Sequence, residues 1–218
     1  MTTTLTFYGH SALRLTKGER SIAVDPGGFS DLAVLDGAHA IVLTHAHPDH
    51  MDAAAIAARA SDGLAVYGPE PAMKALRDGG IDDQALHPIA PGEHVEIEGF
   101  SVATFGGQHA VVHPDIPILD NIAYLFDSSI YLPGDSFTRL PEGTTVDVLA
   151  LGIVGPWVKA EEAVDFARDI APATVIPVHD AILNDKGIAL YDMVIGGRCQ
   201  DSGITYRRLA IGESLTIN

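Results

Sequence analysis

The chain has 218 residues and is 47% hydrophobic, enough to bury a substantial core, and no Ser/Gly/Pro-rich linker or charge block divides it. One domain over residues 1–218 is therefore expected. Lysine and arginine number 13 against 29 acids, a formal net charge of -16 that leaves no basic stripe for phosphates and argues against nucleic acid as a partner.

Cys199 is the only cysteine, so no intrachain disulfide can form. The start "MTTTLTFYGHSALRL" lacks the charged and apolar regions of a leader peptide, and no apolar run approaches the roughly 20 residues of a membrane span. A cytoplasmic protein without a membrane partner is expected.

Taken in chain order, short apolar or alternating runs read as strands: "TLTFYG", "LRLT", "SIAVDP", "AIVLTH", "LAVYGP", "HVEIEG", "SVATFG", "NIAYLF", "SIYLPG", "VDVLALG", "TVIPVH", "TYRRL" and "ESLTI". Alanine-rich stretches with helical spacing lie between some of them. These are "MDAAAIAARA", "EPAMKALRDGG" and "AEEAVDFARDIAP", the last two ending at Gly-Gly and before Pro172. Residues Asn184 to Gly197 fit a loop or a short helix equally. Strands interleaved with helices predict an α/β protein with mixed sheets.

Four strands are each followed by a possible metal ligand, in "AIVLTHAHPDH", "SVATFGGQH", "SIYLPGDS" and "TVIPVHD". In α/β sheets the crevice beyond the strand ends is where side chains from separate segments converge. His45 and His47 stand one residue apart, and Asp49 and His50 follow a rigid proline. In an extended turn that spacing lets two imidazoles reach one cation while the next carboxylate and imidazole reach a second. Imidazole and carboxylate suit zinc, manganese or iron without any thiolate. Asp135 in "PGDS" could bridge two ions, and His109 and His179 supply further nitrogens. The net acidity is compatible with bound divalent cations, which would offset part of it.

"HAHPDH" resembles the H-x-H-x-D-H signature of the metallo-β-lactamase superfamily, and "GGQH", "PGDS" and "PVHD" resemble its later ligand motifs in order. With "FYGHSALRL", "SIAVDPGG" and "GPWVKAEEAVDFARDIAPATVIPVHD", the resemblance covers nearly the whole chain. It is nearest to the compact metal-dependent hydrolase branch that includes ascorbate-6-phosphate lactonase-like proteins. The resemblance implies an αβ/βα sandwich: two mixed β-sheets face to face, helices outside, metals at one edge. It also implies two divalent ions, one held by His45, His47 and His109 and the other by Asp49, His50 and His179, with Asp135 between them. Zinc or manganese is expected, iron is compatible, and one bound ion in place of two is the alternative occupancy. His47 stands where flavodiiron relatives carry Glu, which favours hydrolysis over diiron redox chemistry.

The expected activity is hydrolysis of a small lactone or a phosphorylated metabolite ester by a metal-activated hydroxide, with Asp49 and Asp135 as catalytic carboxylates. Asp49 would accept a hydrogen bond from the nucleophile and orient it. The competing readings are a mononuclear-iron oxidoreductase of the persulfide dioxygenase type, a phosphodiesterase, and a non-catalytic metal-binding protein. Self-association into a homo-oligomer is compatible with such a compact hydrolase.

Other polar residues have plainer readings. Asp52 suits a helix cap or a hydrogen bond behind the ligands. His113 competes with His109 within "GGQHAVVHP", but the strand-end position favours His109. His10 in "YGHS" resembles a histidine of the same branch and has no ligand role assigned. His39, His87 and His94 read as ordinary. Arg139, Lys159 and Trp157 follow motif-bearing segments, where an anionic or ring-shaped substrate would meet them, although solvated side chains explain the two cations as simply. "DPGG" reads as a turn, since no phosphate-loop lysine accompanies it.

Overall fold

The computed structural model describes residues 2–60 and 63–218. In chain order its strands are β1 (Thr3–Phe7), β2 (Leu13–Lys17), β3 (Arg20–Val24), β4 (Ala40–Val42), β5 (Ala65–Gly68), β6 (Leu86–Pro88) and β7 (His94–Ile97). There follow β8 (Phe100–Gly106), β9 (Ile122–Phe126), β10 (Ile130–Leu132), β11 (Val148–Gly152), β12 (Thr174–Val178), β13 (Thr205–Tyr206) and β14 (Ser214–Ile217). The helices are α1 (Ala53–Ala60), α2 (Glu70–Asp78), α3 (Ala160–Ile170), α4 (Asp185–Tyr191) and α5 (Gly197–Asp201).

The strands form two seven-stranded sheets, ordered β14-β1-β2-β3-β4-β5-β6 and β13-β12-β11-β10-β9-β8-β7. Both follow one plan. The strands from β14 to β3 and from β7 to β10 pair antiparallel, while β3 to β6 and β10 to β13 pair parallel. No repeat is visible in the sequence, so the shared plan belongs to the backbone rather than to matching residues.

Alternation decides which face of each outer strand turns inward. Leu5 and Phe7 of β1 are buried while Thr4 and Thr6 are not. Leu5, Leu15 and Ile22 of the first sheet meet Phe100, Tyr124, Phe126 and Ile176 of the second in one apolar layer. The central strands β4, β10 and β11 are buried along their whole length, as strands covered on both faces must be. On the outer face of the first sheet, Ile56 of α1 and Met73 and Leu76 of α2 pack with Ile41, Leu43 and Val66. On the second, Val164, Phe166 and Ala167 of α3 and Cys199 of α5 pack with Leu149, Leu151 and Val175. The result is the expected sandwich of two mixed sheets flanked by helices.

Two local features differ from the sequence reading. β6 was not expected, because three residues next to a 3-10 turn carry no readable period. The ambiguous segment is helical: Asn184 Oδ1 accepts from Lys186 N and Gly187 N, capping α4, and a π-helical turn, Asp192–Gly196, leads into α5. Among the described residues no helix is long and apolar enough to cross a membrane.

Candidate metal centre

The strand ends of both sheets open onto one edge, and the polar segments gather there. The loop after β4 is held first by Asp25, just past β3. Asp25 Oδ1 accepts from Thr44 N at 2.7 Å, and Oδ2 accepts from Thr44 Oγ1 at 2.7 Å. The "DPGG" turn then packs directly on the loop: Gly28 N donates to Pro48 O at 2.8 Å and Asp52 N to Pro26 O at 2.9 Å. A Cβ on Gly27 would stand 1.8 Å from the Asp49 carbonyl oxygen, so only glycine fits. Asp52 does cap α1, its Oδ1 accepting from Ala55 N at 2.9 Å.

The second sheet contributes one group per loop. His109 follows β8, Asp135 follows β10, and His179 follows β12. Asp135 is placed by Asn121, whose Oδ1 accepts from Asp135 N at 3.0 Å while its Nδ2 donates to Pro133 O at 2.8 Å. His179 has a left-handed backbone, as do His10 and Asp25, with φ of 63°, 48° and 47°. Three non-glycine residues in that region around one site is a local cost that the surrounding contacts sustain.

All seven sequence-derived candidates meet here, in two groups whose ligand atoms lie within 4.8 Å of one another: His45, His47, His109 and Asp135, and Asp49, His50 and His179 joined by His10. Asp135 reaches both groups. Its Oδ1 lies 3.2 Å from His50 Nε2, and its Oδ2 lies 3.1 Å from His179 Nε2, 3.3 Å from His109 Nε2 and 3.9 Å from His45 Nε2.

The partners behind each ring decide which nitrogen faces inward. Nδ1 of His109 and of His179 donates to a backbone carbonyl, that of Ala110 and of Val154, each at 2.6 Å. His50 Nδ1 donates to Asp25 Oδ2 at 2.9 Å. Thr44 Oγ1 gives its own proton to Asp25, so it accepts from His45 Nδ1 at 2.9 Å. In all four rings Nε2 is left to face the site, open to a cation or, without one, a proton. His45 Nε2 and His47 Nδ1 face one another at 3.0 Å. The inward Nε2 atoms of His109 and His179 are buried and, despite their closeness to Asp135, lack an aligned hydrogen-bond partner. Buried nitrogens converging on ionised carboxylates fit divalent metal, and the donor set of imidazole and carboxylate suits it.

Electrostatics agree with this reading. Burial opposes charge on Asp49 and Asp135, yet the hydrogen bond from His10 with the nearby His179 ring holds Asp49, and the His50 charge with the His109 and His179 rings holds Asp135, below the usual carboxylate range. Against the same burial, Asp135 and Asp25 raise His50 well above its ordinary value, and Asp135 and Asp49 raise His179 to about 9. Burial, reinforced by neighbouring imidazoles, lowers His45, His47 and His10. The site thus draws in positive charge, which protons supply when metal does not.

The structure gives roles to two further residues and places the remaining candidates. His10 is buried inside the second group, and Asp25 braces two of the histidines; neither role was read from the sequence. A carboxylate directly at the end of "SIAVD" was the signal for Asp25. His113 is exposed and only accepts from Asp115 N, away from the cluster. Trp157 is 6% exposed and packs edge-on against His109 and His179, at 5.9 and 5.7 Å between centroids, with part of its ring lining a groove past His109. Arg139 pairs with Asp169.

A family model described as beta-lactamase superfamily domain matches residues 4–179, from β1 through the last clustered histidine. The chain belongs to the metallo-β-lactamase superfamily. Among similar proteins, Protein Rv0786c of Mycobacterium tuberculosis is 35% identical over 196 residues, 86% of this chain and 88% of that one. The metal-dependent hydrolase mll0680 of Mesorhizobium japonicum is 31% identical over 115 residues, 49% of this chain and 48% of that protein. The metallo hydrolase Igni18 of Ignicoccus hospitalis shares the fold, with a TM-score of 0.74 at 22% identity over 100% of this chain and 99% of that one. By class the chain is a metal-dependent hydrolase of the metallo-β-lactamase superfamily.

Proposed function

We propose that this hydrolase opens a small neutral ester, a lactone first, at two divalent ions, one held by His45, His47 and His109 and one by Asp49, His50 and His179, with Asp135 reaching both. The observation that carries the reading is the convergence of inward-facing imidazole nitrogens on Asp135, two of them, in His109 and His179, buried without a hydrogen-bond partner. Zinc and manganese are the first candidates for the ions. When bound, they supply a water of lowered pKa and a Lewis acid for the scissile carbonyl.

The chain's own groups then divide the work. Asp49, about one-fifth exposed, is the carboxylate of the cluster that the surface can reach, and it accepts the proton-side hydrogen bond of the attacking water. Asp135, nearly buried, keeps its charge and offers oxygens to both groups. Trp157 and the carbonyls of Ala110 and Val154 hold His109 and His179 in one orientation.

Support for a neutral ester over a phosphorylated one comes from the surroundings. Phe29, 55% exposed, lies edge-on to His10, and Ile182 is exposed three residues beyond His179. Ile116 and Ile118 line the hollow at His47 and His109. Among the described residues, no lysine or arginine lines that hollow or the groove past His109 and Trp157. Arg208, near His179, is committed to Asp180 and Asp192. A phosphate would meet apolar groups where it needs guanidinium or ammonium.

The test is hydrolysis by chelated protein reconstituted with manganese or zinc, offered a simple lactone and a phosphodiester in parallel. Metal-dependent lactone turnover that His47→Ala abolishes is the expected result. Turnover of the phosphodiester alone would replace the substrate assignment, and oxygen consumption by an iron-loaded form with no ester turnover would replace hydrolysis by redox chemistry.

A further inference from the structure

His10 sits among the second group of ligand atoms, so distance alone would make it a fourth protein ligand there. Its hydrogen bonds say otherwise. Ala181 N donates to His10 Nδ1 at 3.3 Å, so Nδ1 presents its lone pair and the ring proton resides on Nε2. That Nε2 lies 3.1 Å from Asp49 Oδ2, a donor facing an ionised acceptor. The opposite tautomer would set two N–H groups against each other at Ala181 and two lone pairs against each other at Asp49, leaving a backbone donor unsatisfied.

The contrast with the other rings is sharp. His45, His50, His109 and His179 each give their Nδ1 proton to an oxygen behind them and turn Nε2 inward. His10 does the reverse, and its orientation is fixed from both sides. Its backbone is left-handed, its carbonyl accepts from His179 N at 2.8 Å, and its ring lies 4.1 Å from that of His179.

We infer that His10 is not a metal ligand but the positioning residue for Asp49, its Nε2–H held on Oδ2 so that the carboxylate keeps one orientation toward the second ion and the attacking water. The inference rests on the dinuclear hydrolytic reading for what Asp49 does, but the assignment of His10 itself does not depend on which ester is cleaved.

Imidazole resonances of the zinc-loaded wild-type protein, uniformly 15N-labelled, decide the tautomer directly. The rings of His45, His50, His109 and His179 will show Nδ1–H, and His10, identified by the signal missing in His10→Gln, will show Nε2–H. Nδ1–H at His10 overturns the inference. Metal content and kinetics form the second arm. His10→Ala is expected to bind as many zinc ions per chain as wild type, while kcat falls about 10- to 100-fold with KM within about twofold. His10→Gln, which retains an N–H donor, is expected to recover at least half of that loss on a logarithmic scale. One ion fewer in His10→Ala, or an unchanged kcat, overturns the assignment. The zinc count of the wild type separately tests the dinuclear reading, and absence of lactone turnover bears on the substrate reading alone.

Discussion

The first sheet delivers His45, His47, Asp49 and His50 from a single loop after β4, whereas the second delivers His109, Asp135 and His179 from three loops after β8, β10 and β12. The loops differ in what holds them. The first depends on one shared brace: Asp25 grips Thr44 and His50 and, through Thr44, orients His45, while the Pro26–Gly28 turn presses on the backbone of residues 48–52. In the second sheet each group has its own hydrogen-bonded support, Ala110 O for His109, Asn121 for Asp135 and Val154 O for His179, with Trp157 packed against both histidines. A compact motif thus concentrates its vulnerability outside itself, and a dispersed one spreads it.

The largest effect should follow loss of the group common to both halves. Removing a residue that only orients a ligand typically costs about 10- to 100-fold, so Asp135→Ala, which removes contacts to both groups at once, should cost well over ~100-fold in turnover. Elemental analysis should show lost metal, and far-UV circular dichroism a retained fold. Full activity would remove Asp135 from the reading above.

Next is the brace of the first loop. Gly27→Ala forces a Cβ against the Asp49 backbone, where neither side can yield, and should destabilise toward or beyond the upper end of the ~1–3 kcal/mol usual for overpacking. Gly28→Ala meets only Pro48 O at 3.4 Å and should change far less. Equal shifts in Tm for the two variants would dismiss the brace.

Asp25→Asn keeps the shape but withdraws the charge behind His45 and His50. Metal affinity should fall about 10- to 100-fold, measured by competition with a chromophoric chelator. If the first loop were supported independently, as the second-sheet groups are, affinity would hardly move.

Acidity separates metal-free from loaded protein. His179 is raised to about 9 and His50 is raised as well, so in chelated protein their contribution is complete below pH 6.5 and declines as pH climbs through about 9. Thermal melts should therefore show Tm falling across that window, and metal-loaded protein, whose ligands are already deprotonated, should lack this decline. A flat Tm in the chelated protein would contradict the raised values.

The smallest effect is expected far from either brace. Arg139→Ala removes only an exposed pair with Asp169 and should alter stability by less than about 0.5 kcal/mol and leave kcat/KM on a lactone unchanged. A rise in KM would return Arg139 to the substrate.

Read from the chain alone, the loop after β4 was legible because four side chains of metal-ligating type in six residues have few other reasons to occur together. His109, Asp135 and His179 were legible only in company, each marked by its place after an apolar strand. The strands themselves were readable from period-two and apolar runs, and α1 to α3 from alanine-rich helical spacing with glycine or proline stops. β6 escaped because three residues are too few to carry a period.

What the sequence by itself determined was the type of groups present and the strand ends on which they sit, since hydrophobic period and side-chain chemistry are local properties. Tertiary structure decided the rest: that Trp157 braces the histidines from within the core, and that Asp25 and Gly27 support a loop about twenty residues away. It also decided which way the His10 ring faces, because a tautomer is set by the donor behind it, here Ala181 N, 171 positions along the chain. Such contacts depend on long-range packing, and no local pattern records them.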